Sequence, residues 1–286
     1  EFPSVWGANM ITLCDDMLTV KTDAVRIIPE KVKGTTFEGH GFFEGSSIRK
    51  IKDTYYFIYS SQKNHELCYA TSKYPDRNFK YGGTIVSNGD VGYNGRKEKD
   101  RLNATGTAHG SIENINGQWY VFYHRLTHGS DYSRQACAEP IQIEPDGSIH
   151  QVEISSGGLN RVPLIAKGKY PSVIACNITN GKMPHLSNQK SKKPIPISNI
   201  DNKTTITYKW FDFIKGDGEI GFDIDSNAQG KMIVTVDDEV IARMPINNFG
   251  RTTVSTKYHV QGLKRKSLSF KFIGKGAFNL YSFKFQ

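Results

Sequence analysis

No apolar run in this chain approaches the roughly 18 residues that a membrane-spanning helix needs. That excludes a helical membrane anchor within the stretch given. Cysteine is scarce, with Cys14, Cys68, Cys137 and Cys176 as the only four. None stands in CxxC spacing, which argues against a zinc ribbon, and four are too sparse for a disulfide scaffold. Buried free thiols are the expectation. No secretory leader is visible, and Glu1-Phe2-Pro3-Ser4-Val5-Trp6 reads as a junction or a cut end. Helical periodicity is nearly absent. So are helix-turn-helix, zinc-finger and RNP motifs, so neither nucleic acid nor a membrane is the expected partner.

What is present is enough for a substantial core. Of 286 residues, 37% are hydrophobic and 12% aromatic. That composition excludes disorder as the main state, and the length suggests about two domains. Charge separates them. Residues 1–160 hold 17 Lys/Arg against 19 Asp/Glu, a net −2, while residues 161–286 hold 20 against 9, a net +11. The basic residues of the second part are scattered through strand-like text. Short clusters occur only at Lys190, Lys192 and Lys193 and at Lys264-Arg265-Lys266. A solvated basic face accounts for them, with attraction to an acidic polymer as the alternative.

The first part contains an internal repeat. Gly45–Tyr59 lies over His109–Tyr123 at an offset of 64, placing Ile48 on Ile112, Ile51 on Ile115, Tyr55 on Trp119 and Tyr59 on Tyr123. Each copy reads as a strand, a tight turn and an aromatic strand, which is a hairpin signature. Glu66–Thr71 and Arg134–Glu139 follow as third strands, and Phe79–Val86 and Ile141–Ile143 as outer strands. Four antiparallel strands per repeat describe a propeller blade. Trp6–Ile11 and Met17–Val20 read as the outer half of one more blade. Propellers typically close with 4–8 blades, and an open fan leaves strand edges unpaired. The expectation is therefore a fragment, or a ring completed by a second polypeptide. Residues 161–200 are rich in Pro, Gly, Lys and Ser and read as a leading linker. Short alternating strands after them suggest a β-sandwich. The predicted class is all-β, with 1–160 as propeller and 161–286 as sandwich.

In a propeller the first strand of each blade lines the central channel, so residues that start equivalent strands converge at one mouth. Here these are Phe42-Phe43-Glu44-Gly45 and Thr107-Ala108-His109-Gly110. A carboxylate and an imidazole can thus face each other across the channel. Flanking phenylalanines would strip water from Glu44, and desolvation favours the protonated carboxyl that a general acid requires. Gly45 would let a substrate approach the backbone. A strand glutamate paired with an arginine is the plainer alternative.

Gly39-His40-Gly41-Phe42-Phe43-Glu44-Gly45-Ser46-Ser47-Ile48 resembles the Glu-Gly-Pro segment of glycoside hydrolase family 43, with Ser46 in place of the commoner proline. Tyr55–Tyr59, Gly106–Ser111, Trp119–Arg125 and the Trp6-Gly7 strand are similar to that family as well, in the same order. The resemblance covers about residues 5–155. It implies blades III to V of a five-bladed propeller and inverting hydrolysis of arabinosides and xylosides. Glu44 would be the general acid. His109 would be the channel histidine beside a cation, often calcium, reached here through water. Phe43, His109 and Arg134 would line the sugar pocket. The general base would lie outside this chain, in blades I and II, and Asp15 and Asp16 match a peripheral turn instead. The substrates implied are arabinoxylan, arabinan or xylo-oligosaccharide, in an extracellular or periplasmic setting.

Residues 166–286 resemble a family 6 carbohydrate-binding module, with Tyr208, Trp210, Phe249 and Tyr258 as candidate stacking rings. His65, His124, His128, His185 and His259 show no ligand spacing and read as structural or surface residues. The competing class is a non-catalytic carbohydrate-binding or assembly fragment.

Overall fold

The computed structural model describes residues 7–106, 108–127, 130–178, 185–186 and 195–286. Trp6, Thr107, His128 and the Lys190, Lys192 and Lys193 cluster fall outside them. The chain forms two compact units. One comprises residues 1–98, 105–125 and 136–153, and the other residues 99–104, 126–135 and 154–286.

The first unit opens with β1 (Ala8–Met10), paired antiparallel with β2 (Val25–Ile28). The sequence reads Met17–Val20, with Trp6–Ile11, as the outer half of a blade. Met17–Thr19 instead form a projecting turn closed by a Leu13–Val20 bridge, with Met17, Leu18 and Val20 all more than half exposed. The reason is local: the Asp16 carboxylate accepts from the Leu18 and Thr19 amides, each at 2.9 Å, and from the Thr19 hydroxyl at 2.5 Å. An aspartate that satisfies its own backbone in this way favours a turn over a ladder.

β3 (Phe42–Ile51), β4 (Thr54–Ser61), β5 (Glu66–Ser72) and β6 (Lys80–Ser87) form a four-stranded antiparallel meander in that order. This is the first predicted blade. β4 and β5 are buried on both faces, as strands packed between neighbouring layers must be. Phe57, Tyr59, Cys68, Ala70 and Phe79 join Ala8, Ile27 and Ile28 in one apolar cluster.

The second blade is β7 (Gly110–Ile115), β8 (Gln118–Thr127) and β9 (Ser130–Ile141). It has three strands where four were expected. Ile141–Ile143 does not turn back as an outer strand, because β9 runs on through Ile141. Beyond it only an Ile143–Ile149 bridge remains, closed by the turn in which the Glu144 amide donates to the Ser148 carbonyl.

Repeat-equivalent residues of the two blades touch each other. The Ser47 hydroxyl donates to the Ser111 hydroxyl at 2.8 Å, and Arg49 Nε to Glu113 at 3.2 Å. Both pairs are 64 apart, the repeat offset. β3 and β7 therefore lie side by side in the same direction and register, as the innermost strands of adjacent blades do.

The second unit is a β-sandwich. Short strands come first: β10 (Leu164–Ile165), β11 (Gly168–Pro171), β12 (Asn177–Ile178), β13 (His185–Leu186) and β14 (Ile197–Ile200). Long ones follow: β15 (Thr205–Phe213), β16 (Gly216–Ser226), β17 (Gln229–Val236), β18 (Glu239–Ile246), β19 (Gly250–Val260), β20 (Leu263–Lys275) and β21 (Phe278–Phe285). One sheet runs β10-β15-β20-β17-β18 with β12 also on β15, the other β13-β14-β21-β16-β19 with β11 also on β21. The segment read as a linker is thus woven into both sheets at its described residues. Inward alternates such as Tyr208, Phe222, Phe270 and Phe283 are 0–1% exposed and fill the space between the sheets.

Candidate active site

β3 and β7 each begin at the same end of their blades, and this brings Glu44 and His109 together. His109 Nε2 lies 2.7 Å from Glu44 Oε1, and the side chains are 30% and 42% exposed respectively. A single proton is held along this line. With it on the imidazole the carboxylate accepts, and with it on the carboxyl the bare Nε2 accepts. No second carboxylate bonds Glu44 among the described residues, and Oε2 has no bonded partner among them.

The expected apolar jacket around Glu44 is not there. Phe42 leans into the core against Phe57 and Tyr59, with ring centroids 6.0 Å away in both cases. Phe43 is 47% exposed. The ladder is irregular here, with Phe42 opposite Ser61 and Glu44 opposite Ser60. The imidazole, not a phenyl ring, is the neighbour of this acid.

Gly45 has a role other than admitting substrate. Its φ is +68°, and a Cβ here would lie 2.8 Å from Cγ and Cδ2 of His109. The glycine makes room for the imidazole. His109 is held from behind by His124 on β8, whose Nε2 accepts the His109 main-chain N–H at 3.1 Å. In the neutral ring that places the proton on Nδ1. The two rings meet edge to face at 5.2 Å. His124 has no ligand spacing in the sequence. A signal was available, since it stands 64 residues after Ser60, the backbone partner of Glu44.

Arg134 is exposed on β9, among the residues 126–135 that cluster with the second unit. As a calcium site the pair is poor. Calcium takes 6–8 oxygen ligands, and the donors gathered here are one carboxylate and imidazole nitrogens. An ion beside His109 would be carried by water, and no chemical step is assigned to it.

A second polar cluster lies behind the strand start. Glu66 is buried, with Oε2 2.9 Å from both His40 Nδ1 and the Ser61 hydroxyl and Oε1 3.3 Å from Lys63 Nζ. Burial alone would push this carboxyl up, but His40, Lys63 and Ser61 outweigh it and hold it at about 2. The Cys68 thiol nearby is raised by burial. None of the four cysteines forms a disulfide; Cys68 and Cys176 are buried, while Cys14 and Cys137 are half-buried.

In the sandwich, Tyr208 is fully buried and donates to the Ser172 carbonyl, so it cannot stack on a sugar. Tyr258 packs edge-on against Phe285. Trp210 has the Arg265 guanidinium 5.0 Å from its ring centroid. Phe249 is 66% exposed.

Residues 5–149 match the family model described as glycosyl hydrolases family 43. A xylosidase/arabinosidase of Thermoclostridium stercorarium is 42% identical over 263 residues, which is 84% of this chain and 55% of that protein. The chain spans about half or less of the length of the curated relatives it matches. Among solved structures, a family 43 arabinoxylan arabinofuranohydrolase from Bacillus subtilis aligns with 97% of this chain and 59% of its own. Its TM-score is 0.50 at 20% identity, a likeness of fold. A family 6 carbohydrate-binding module from Clostridium cellulolyticum aligns with 43% of this chain and 98% of its own, with a TM-score of 0.35 at 20% identity.

Proposed function

The chain belongs to glycosyl hydrolase family 43, and on that premise we propose that Glu44 is the general acid of an inverting glycosidase. The observation that carries this reading is the Glu44–His109 pair. A carboxyl on the innermost strand of its blade is anchored through Oε1 by an imidazole, and Oε2 is left to address a ligand.

The proposed reaction, in the whole protein, is hydrolysis of α-L-arabinofuranosyl or β-D-xylosyl linkages. The substrates are plant cell-wall polysaccharide (arabinoxylan or arabinan) or xylo-oligosaccharides. Glu44 donates its proton to the departing glycosidic oxygen. A carboxylate on the other face of the sugar deprotonates the attacking water, with a separation of about 6.5–9.5 Å for inversion. By resemblance to the family, that base is proposed to come from outside this chain, on blades completed by further residues or a second polypeptide. His109 holds Glu44 in place, and Phe43 and Arg134 are proposed to contact the sugar. Residues 1–160 act as the catalytic blades and 161–286 as the accessory sandwich.

Glu44→Gln in the whole protein tests the assignment. Hydrolysis of alkyl glycosides should fall by about 10²–10⁴-fold, the usual worth of general acid catalysis. Aryl glycosides with good leaving groups need less proton assistance and should lose much less. Equal losses on both would remove Glu44 from the role.

A further inference from the structure

The two outer faces of the sandwich handle charge differently. On the β16–β19 side, acids stand among the cations, with Glu219 opposite Lys257 and Asp225 opposite Arg251 in the register. Arg251 forks onto Asp223 at 2.6 and 2.9 Å, and His259 lies 2.8 Å from Asp217. On the other sheet such pairs are confined to one end, and the rest of its described face has none. There the register sets Thr205, Lys271, Ile233 and Arg243 in one row across β15, β20, β17 and β18. The adjoining row is Ile273, Lys231 and Pro245, and Lys275 pairs with Gln229 one step beyond. The alternate residues Phe270, Phe272, Met232, Val234 and Met244 are buried, so these rows face outward.

Lys231, Arg243, Lys271 and Lys275 are exposed, and none has a carboxylate within 4.0 Å among the described residues. The acids at the far end of this sheet are already committed, Asp212 to Lys264 at 3.1 Å and Asp237 to Lys266 at 2.7 Å. The cluster most visible in the sequence, Lys264-Arg265-Lys266, is therefore largely neutralised. The uncompensated charge sits on residues far apart in sequence. Beside it runs a half-buried row of hydroxyls, Thr207, Ser269 and Thr235, with Thr207 and Ser269 bonded at 2.8 Å.

Adjacent strands lie about 4.8 Å apart, so Lys271 and Arg243, two strands apart, are about 10 Å from one another. Cations at that spacing on a flat face suit carboxylates that recur along a sugar chain. The hydroxyl row offers donors and acceptors to the uncharged rings between them. The rows hold no aromatic platform for unstacked bases, such as single-strand nucleic-acid sites use. We propose that this face of the sandwich docks a polysaccharide carrying uronate carboxylates. The choice of polymer rests on the cell-wall reading above, but the test involves no hydrolysis, so either reading can fail alone.

The experiment is affinity electrophoresis of the full chain in gels containing polygalacturonate, glucuronoxylan or neutral arabinoxylan. Retardation is expected with the two acidic polymers, weakening by about tenfold or more between low and physiological salt as the charges are screened. Lys231→Glu/Arg243→Glu/Lys271→Glu should weaken it at least tenfold further with an unchanged melting temperature. The neutral Gln triple variant should do the same to a lesser degree. Lys264→Gln, at a cation already paired, should change it little. Equal retardation by neutral arabinoxylan would overturn the proposal. So would an unaffected Glu triple variant, or tighter binding of duplex DNA than of either acidic polymer.

Discussion

At the scale of single residues, the Glu44–His109 bond exists because a glycine follows the glutamate. Gly45→Ala places a methyl group on a left-handed backbone and into the imidazole at once. The backbone term alone is about 1–2 kcal/mol. Because the ring must move, activity of the whole protein should fall more steeply than stability, as parallel measurement of kcat and of the urea midpoint would show. His124 is a positioning residue. His124→Ala removes the acceptor of the His109 amide, and a lost bond of about 1.4 kcal/mol corresponds to about a tenfold drop in kcat, with KM little changed. His124→Asn can accept the same N–H through its side-chain oxygen and should recover part of that loss. An alanine variant with undiminished kcat would exclude the role.

At the scale of elements, β3 and β7 are two copies of one strand, laid together so that Ser47 meets Ser111 and Arg49 meets Glu113. The start of β3 is braced by Glu66 on β5, through His40. Glu66 is held ionised well below its ordinary value of 4.5, at about 2. A carboxyl depressed on folding stabilises the native state above its unfolded value. That contribution is lost as pH falls from about 4.5 through about 2. Glu66→Gln should therefore cost roughly 1.5–3 kcal/mol at pH 7, the range for hydrogen bonds to a charged group. Near pH 2 it should cost little. Urea unfolding at both values checks the sign, and a cost independent of pH would contradict it.

For the whole molecule, the decisive question is where the second acid comes from. If the base is supplied from outside as proposed, the present chain alone should hydrolyse chromogenic arabinofuranosides and xylosides at least about 10³-fold more slowly than the whole protein. Removing one member of a catalytic unit costs that much or more. Comparable rates would place the base within this chain. The charge asymmetry belongs to this scale as well, since the net +11 of residues 161–286 becomes a surface only once strands far apart in sequence share a sheet.

The sequence by itself determined the all-β class, the blade hairpins and Glu44 and His109 as a pair. Each rests on local information: period-two alternation, turn residues, and a repeat whose offset survives in the fold. It did not determine that β1 pairs with Val25–Ile28, that Ile141 continues β9, or that His124 backs the site. Nor did it show that the cation cluster obvious in the text is neutralised while Lys231, Arg243 and Lys271 are not. Those outcomes depend on which groups from distant segments meet at a shared carboxylate, amide or ring, and only the tertiary structure decides that.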